Sequence, residues 1–295
     1  TMKILIAISS KEYSGSTLGL GMKVASALKA STTIVDVGEK INEFGSKDVN
    51  IVNQLIETWD FNRPGVEVLE WAHDFLAKNN FIEIKEDQSQ LLKNKLIESE
   101  TDRSEVFLKG KIGNNLSLIL RNGDIIGELR SEVEVGGYDI TIIGGSKKRS
   151  MSHDLIQYIN SSIFIVKNYN PKNQYKLLLV IDESPNIKKV LKYGVRIAKE
   201  FSIELTLISI EGSKQFSKKY ENLIRYVNKL LRRCKVNYNS LKKDGNLEEE
   251  IISAASDKHI IMMGASGSSP ITKFFKGSMP LNVMNRCECP ILIVK

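Results

Sequence analysis

The chain carries one sequence pattern twice, and this limits it to folds made of two similar halves. The apolar run at residues 3–9, KILIAIS, returns nearly position for position as KLLLVID at residues 176–182. The two halves also end in the same way, with two apolar runs. In the first half these runs are 138–146 and 163–167, and in the second half they are 259–266 and 291–295. Self-similarity of this kind indicates a tandem duplication.

The duplication predicts two domains of ordinary size within the 295 residues. We place the first domain at 1–168 and the second at 175–295. The connection at 169–174 is polar and contains a proline, as expected of a linker. The first half is the longer one, and its excess lies at about 81–113, a charged segment for which we expect a surface excursion or a lid.

Within each half, continuous Ile, Leu and Val runs alternate with segments of helical period. Strands that are apolar on both faces are typical of a parallel sheet covered by helices on both sides. The predicted fold class is therefore α/β, with two tandem doubly wound, Rossmann-like domains. Each domain is expected to contain an open five-stranded parallel sheet.

Composition excludes several classes of protein. The 42% hydrophobic and 26% charged residues are typical of a globular chain rather than a disordered one. The apolar runs are too short to cross a bilayer, and no secretion signal is visible, so we expect a cytoplasmic protein without a membrane span. The net charge of +7 comes from dispersed basic residues without a nucleic-acid-binding motif, which favours a solvated basic surface over a nucleic-acid site.

A glycine-rich loop in the second half carries most of the functional information. Met263 and Gly264 end a buried run, and Gly267 follows. After nine intervening residues come Gly277 and Ser278, before a short helix with Pro280 in its first turn. Ligands of open parallel sheets bind at the carboxyl ends of the strands. Glycines let the backbone approach a phosphate, and a helix N-terminus presents free N–H groups to an anion.

This loop resembles the nucleotide-binding motif of the universal stress protein family, G-x-x-G, nine residues, G-[ST]. Gly264, Gly267, Gly277 and Ser278 match it at every spacing. The resemblance extends over the second half, and the first half is similar in strand pattern. Together they resemble a tandem universal stress protein in which the two domains form an intramolecular pseudo-dimer.

The resemblance implies an adenine nucleotide, ATP or AMP, in the second domain. The adenine would bind backbone groups near Ile210, Asp182 would reach the adenosine, and the phosphates would lie on backbone N–H groups. The implied binding residues are Asp182, Ile210, Met263, Gly264, Gly267, Gly277, Ser278 and Met279. Phosphates together with Asp182 would also suit Mg²⁺.

The first half departs from the motif. Ser9 stands where the second half has Asp182, and the loop after Gly144 is about eight residues shorter and continues with the basic residues 147–149. We therefore expect the first domain not to bind ATP in the family's manner. A degenerate structural partner is favoured over a site for another anion.

No catalytic constellation is apparent in the sequence. The three histidines, His73, His153 and His259, are scattered, and Cys287 and Cys289 form only half of a metal site. We therefore favour a stress-response regulatory protein whose nucleotide-bound state is recognised by an unknown protein partner. Whether the chain also forms a homodimer is left open. The alternatives are an ATP-using enzyme (a slow ATPase, or adenylyl or phosphoryl transfer) and a nucleotide-free interaction module.

Overall fold

The structure is a computed structural model. It describes residues 1–38, 65–86, 95–100, 102–109, 111–113, 115–145, 154–155, 157–182, 184–210, 218–243, 245–265 and 279–295. The chain divides into two compact units, the first with residues 1–22 and 30–144 and the second with 23–29 and 145–295. This division by contacts differs from a division into sequence repeats, and the boundaries at 168 and 175 stay a prediction.

The second unit contains the five parallel strands that the sequence predicts. Their order across the sheet is β12, β11, β10, β13, β14, and all neighbouring pairs are parallel. Their bounds are β10 Lys176–Val180, β11 Leu205–Ile210, β12 Tyr238–Lys243, β13 His259–Gly264 and β14 Ile291–Val294. The four central strands are built almost entirely of buried apolar side chains, whereas β12 at the edge is largely exposed.

Four helices cover the two faces of this sheet. Their bounds are α4 Ile187–Phe201, α5 Lys218–Cys234, α6 Leu247–Ala254 and α7 Met279–Arg286. Right-handed crossovers place α4 and α5 on one face and α6 and α7 on the other, because the chain reverses its direction across the sheet after β12. Gly194 of α4 packs so closely on the side chain of Leu179 in β10 that an added methyl group would lie 2.5 Å from it.

A sixth strand of the second unit comes from the first sequence repeat. Strand β9, Ser162–Val166, pairs antiparallel with β14, with Phe164 opposite Leu292. The sequence predicts β9 as the fifth parallel strand of the first half. In the structure β9 belongs to the second unit, where it pairs antiparallel with β14. Its side chains are all buried, as are those of β14.

The first unit has four parallel strands in the order β8, β1, β2, β7. Their bounds are β1 Lys3–Ile8, β2 Ser31–Gly38, β7 Leu116–Asn122 and β8 Ile140–Gly144. The helices α2 Val66–Lys78 and α3 Ile125–Gly136 belong to the first unit, and the boundary between the units falls within α1 Gly15–Leu28. Asp124 caps α3, since its carboxylate accepts the N–H of Gly127 at 2.9 Å, and Gly137 ends the helix in the left-handed conformation.

The segment at 81–113 forms strands. Strands β4, Lys95–Glu100, and β5, Arg103–Phe107, form an antiparallel hairpin that continues the sheet beyond β7, and β3, Ile84–Glu86, pairs with β6, Lys111–Gly113. The expected surface excursion is thus, in its described part, largely an extension of the first unit's own sheet. Periodicity in the sequence gave no hint of it, because the strands KLIESE and RSEVF follow neither a helical period nor a regular alternation of polar and apolar residues.

A buried ionic cluster fixes this hairpin to the first unit. The carboxylate of Glu132 in α3 accepts hydrogen bonds from Nε of Arg103 and Nε of Arg121, both at 2.8 Å, and from the hydroxyl of Tyr138 at 2.9 Å. Arg121 also pairs with Glu128 at 3.0 Å. Burial by itself would raise the pKa of Glu132, but the two arginines hold it below its usual value. Arg103 and Arg121 lie opposite each other on β5 and β7, and the carboxylate of Glu132 balances their charges by accepting a hydrogen bond from each.

Candidate functional site

Three of the predicted binding residues lie at the same edge of the second unit's sheet. Asp182 follows β10, Ile210 ends β11 and Gly264 ends β13, and these three strands are neighbours with their carboxyl ends together. The N–H of Ile181 still bonds the carbonyl of Ile208 at 2.8 Å, so the sheet continues to the residue before Asp182. The edge therefore carries the groups that ligands of open α/β sheets contact.

Gly264 makes the closest approach at this edge. A methyl group added to Gly264 would lie 2.2 Å from Oγ of Ser184 and 3.8 Å from Oδ1 of Asp182. Real Cβ atoms do not come so near to other atoms, so an alanine at this position would displace Ser184 in the loop after β10. Asp182, Ser184 and Gly264 thus form one contiguous surface at the ends of β10 and β13.

The loop after β10 holds the Asp182 carboxylate in place. The backbone N–H of Ser184 donates to Oδ1 of Asp182 at 3.1 Å. Burial raises the pKa of Asp182, and the backbone N–H of Ser184, together with its nearby hydroxyl, opposes this shift. The following helix, α4, begins after this turn, at Ile187.

The remaining predicted residues differ in what they offer a ligand. The side chain of Met263 is fully buried, so only its main chain is open to a ligand. Met279 is the first residue of α7, in agreement with the predicted helix start, and Pro280 follows within the first turn. Gly267, Gly277 and Ser278 lie outside the described residues.

A cavity of about 480 Å³ lies beside this edge, between α5 and the sheet. Ile181 and Ser209, which line it, are the neighbours of Asp182 and Ile210 in the sequence. Leu207 and Val227 contribute apolar walls. Cavities of this size with a few polar groups are typical of small-molecule sites. The sequence did not indicate this cavity, because it depends on how α5 packs on the sheet.

The corresponding edge of the first unit has different chemistry. Ser9 follows β1, and its N–H donates to the hydroxyl of Ser14 at 3.2 Å. Gly144 ends β8, and a methyl group there would lie 3.1 Å from Oγ1 of Thr17. No carboxylate replaces Asp182 at Ser9, and the basic residues 147–149 lie outside the described residues.

The sequence patterns did not single out Asp36 in β2. Its side chain is 4% exposed, and burial, together with the nearby charge of Glu67, raises its pKa to about 7. Gly65, with a φ of 102°, brings the start of α2 against this carboxyl group, so that an added methyl would lie 2.4 Å from Oδ2. A single acidic residue inside the apolar run 34–37 was the available signal.

Within the described part of the chain, no three His, Cys, Asp or Glu side chains lie together as metal ligands. Cys287 and Cys289 are both buried and form no disulfide bond. No described helix is long and apolar enough to cross a membrane.

A family model described as the universal stress protein family matches residues 175–295. The second half of this chain is a universal stress protein domain. A universal stress protein of Methanocaldococcus jannaschii is 24% identical over 145 residues, which are 43% of this chain and 85% of that protein.

Solved structures show that the whole chain has a fold similar to that of known proteins. A universal stress protein from Archaeoglobus fulgidus aligns over 99% of this chain and 98% of its own, with a TM-score of 0.58 and 14% identity. The cytoplasmic domain of a prokaryotic cation chloride cotransporter aligns over 99% of this chain and 95% of its own, with a TM-score of 0.52 and 12% identity. At these identities the alignments show a shared Rossmann-like α/β fold.

Proposed function

We propose that the universal stress protein domain binds one adenine nucleotide, ATP or AMP, at the edge formed by Asp182, Ile210 and Gly264, and that the bound nucleotide regulates a protein partner in a stress response. The main support is the packing of Gly264 against Ser184 and Asp182. That packing brings the first glycine of the loop motif next to a largely buried carboxylate at this edge.

The chemistry of these groups suits a nucleotide. A carboxylate at Asp182 accepts hydrogen bonds from the ribose hydroxyls. The backbone N–H groups after Gly264 and at the start of α7 suit phosphates, since helix N-termini attract anions. Mg²⁺ would bind between the phosphates and Asp182, as this ion commonly takes a carboxylate and phosphate oxygens. The apolar walls of the neighbouring cavity offer a place for the base.

The first unit is proposed as a partner that does not bind nucleotide in this way. It has Ser9 at the position of Asp182, and its loop after Gly144 lacks the second and third motif glycines. One nucleotide per chain is therefore expected. A change in the conformation or partner surface of the chain on binding would then be the regulatory signal.

Calorimetric titration of nucleotide-stripped protein with ATP and AMP tests this proposal. We expect one site per chain, lost in Gly277→Val and weakened roughly ten- to hundredfold in Asp182→Asn, because a hydrogen bond to a charged group contributes about 1.5–3 kcal/mol. Glu204→Gln is the matched control, since Glu204 precedes β11 at the opposite edge of the same sheet and pairs with Lys176. Absence of binding, or equal losses in Asp182→Asn and Glu204→Gln, contradicts the proposal.

We also propose that the closing strands of the two repeats form the contact of an internal pseudo-dimer. Their antiparallel pairing is accompanied by reciprocal lysine contacts. Lys167, after β9, donates from Nζ to the carbonyls of Met284 and Cys287 at the end of α7. Lys295, after β14, donates from Nζ to the carbonyl of Ile159 at 2.6 Å, where a helical turn precedes β9. Such two-fold reciprocity is what a self-complementary interface produces.

A further inference from the structure

The exposed side of α4 carries a continuous row of cations. Lys188, Lys192, Arg196 and Lys199 are all exposed and recur at four- and three-residue spacing, so they lie on one stripe of the helix. The opposite side of the helix, with residues such as Leu191 and Val195, is buried against the sheet. The whole outward stripe is therefore available to solvent.

The neighbouring helix α5 repeats this arrangement. Arg225, Lys229, Arg232 and Arg233 are exposed on its outer side, and Arg225 forms an exposed pair with Glu221 in the preceding turn. Since α4 and α5 lie on the same face of the sheet, the two rows run side by side. We call this combined surface of exposed side chains on α4 and α5 the basic face.

The charge of the basic face is one-sided. The described side chains of the two helices include eight exposed cations and two exposed carboxylates, Glu200 and Glu221. The exposed side chains of the two helices therefore carry a net charge of +6. Helix α6, on the other face of the sheet, carries three successive glutamates at 248–250 in its first turn. Those glutamates pair with Lys243 and Arg286, whereas the basic face keeps a net charge of +6 within its two helices, so the basic face attracts polyanions.

One aromatic ring lies within the basic face. Tyr226 is 41% exposed, and Nζ of Lys188 lies 5.7 Å from its ring centroid, so the ring joins the two cationic rows. Tyr226 is the one exposed aromatic or aliphatic side chain among those described on α4 and α5. A surface that inserts into a bilayer needs several apolar side chains next to its cations. The apolar sides of these helices are instead used by the protein core.

We infer that the basic face binds single-stranded nucleic acid, with the backbone phosphates along the cationic rows and a base stacked on Tyr226. Single-strand-binding surfaces combine a positively charged track with exposed aromatic rings. Half of the eight cations are arginines, whose planar guanidinium groups suit phosphate oxygens. Arg225, one of the eight cations, also lines the cavity beside the nucleotide edge, whereas the other seven lie outside the lining of that cavity, so the inference does not rest on the proposed function.

Fluorescence anisotropy with a labelled 20-nucleotide oligo-dT or oligo-U at 50–300 mM salt tests the inference. The logarithm of the association constant is plotted against the logarithm of the salt concentration. Each contacted phosphate contributes about −0.7 to the slope for a single strand, so contact with about six phosphates predicts a slope of about −4. Reversal of four cations (Lys192→Glu, Arg196→Glu, Arg225→Glu and Lys229→Glu) should lower the magnitude of the slope by about 3 and weaken binding by about tenfold or more.

A charge-matched control separates the basic face from the net charge of the chain. It reverses four exposed lysines outside α4 and α5: Lys11→Glu, Lys29→Glu, Lys78→Glu and Lys172→Glu. We expect this control to retain most of the binding and its slope. Tyr226→Ala should weaken single-strand binding about tenfold, whereas Tyr226→Phe keeps it, because the stacking surface is preserved.

Several outcomes would overturn the inference. They are the absence of salt-dependent binding to the oligonucleotide, equal losses in the two fourfold variants, and equal affinity of Tyr226→Ala and wild type. Binding to vesicles of phosphatidylserine and phosphatidylcholine without binding to the oligonucleotide would assign the basic face to an anionic membrane instead. Circular dichroism of each variant identifies any that fail to fold, and in that case Arg225→Gln with Lys229→Gln repeats the test with a smaller change.

Discussion

Replacing Asp36 by asparagine should make the protein more stable at neutral and alkaline pH. The carboxyl group is 4% exposed at the end of β2, faces Gly65, and has its pKa raised from 3.8 to about 7 by burial and by the charge of Glu67. A raised carboxyl pKa means that folding favours the protonated form. Ionisation of Asp36 therefore costs free energy in the folded protein and little in the unfolded chain.

The size of the effect follows from linkage between protonation and folding. Well below pH 3.8 both states hold the proton, so the group has no effect on stability. As the pH rises above 3.8 the unfolded chain releases the proton first, and the stability falls until the folded protein also releases it near pH 7. With 1.36 kcal/mol per pKa unit, the loss between pH 5 and pH 8 is about 2.6 kcal/mol, and the full loss at high pH is about 4 kcal/mol.

Urea unfolding of the full chain at pH 5, 6, 7 and 8 measures this loss. The wild type should lose about 2.6 kcal/mol more than Asp36→Asn between pH 5 and pH 8, because asparagine has the same shape and no titration. Glu98→Gln, a change at an exposed position of β4, should follow the wild type. Parallel pH dependences for Asp36→Asn and wild type would refute the reasoning. So would a carboxyl ¹³C resonance of Asp36 that titrates near pH 4.

Three further changes test other contacts. Glu132→Gln should destabilise the first unit by about 3–5 kcal/mol in urea, because Arg121 would stay buried without its main partner, whereas Glu134→Gln at an exposed pair should change stability by less than about 0.5 kcal/mol. Gly264→Ala should abolish nucleotide binding in calorimetry, since a methyl group there displaces the loop after β10; unchanged affinity would contradict the proposed site. Lys167→Met should lower the stability of the second unit by about 1.5–3 kcal/mol through loss of its charged hydrogen bonds to the end of α7, and an unchanged melting temperature would show that the contact contributes nothing.

Local sequence patterns determined much of the second unit. Buried parallel strands need apolar side chains on both faces, so the runs at 176–182 and 259–264 mark strands whatever their neighbours are. Parallel strands also share one carboxyl edge, so the positions of Asp182, Ile210 and Gly264 at the ends of such runs suffice to place them at the same edge. The start of α7 followed from Pro280, which fits only the first turn of a helix.

The tertiary structure decided the features that depend on which segments meet. The sequence of β9 is typical of any buried strand. Its antiparallel partner β14 lies about 130 residues later, and the sequence of β9 does not specify which strand it pairs with. Asp36 has a raised pKa because the fold buries it and because α2, which starts at Gly65, brings the charge of Glu67 near it. The basic residues of α4 and α5 appear dispersed along the chain, and they become one surface because two right-handed crossovers place both helices on the same face of the sheet. Sequence periodicity specifies which side of a helix or strand is buried, whereas the pairing of distant elements, and every pKa and surface charge that depends on it, is set by the packing of the whole fold.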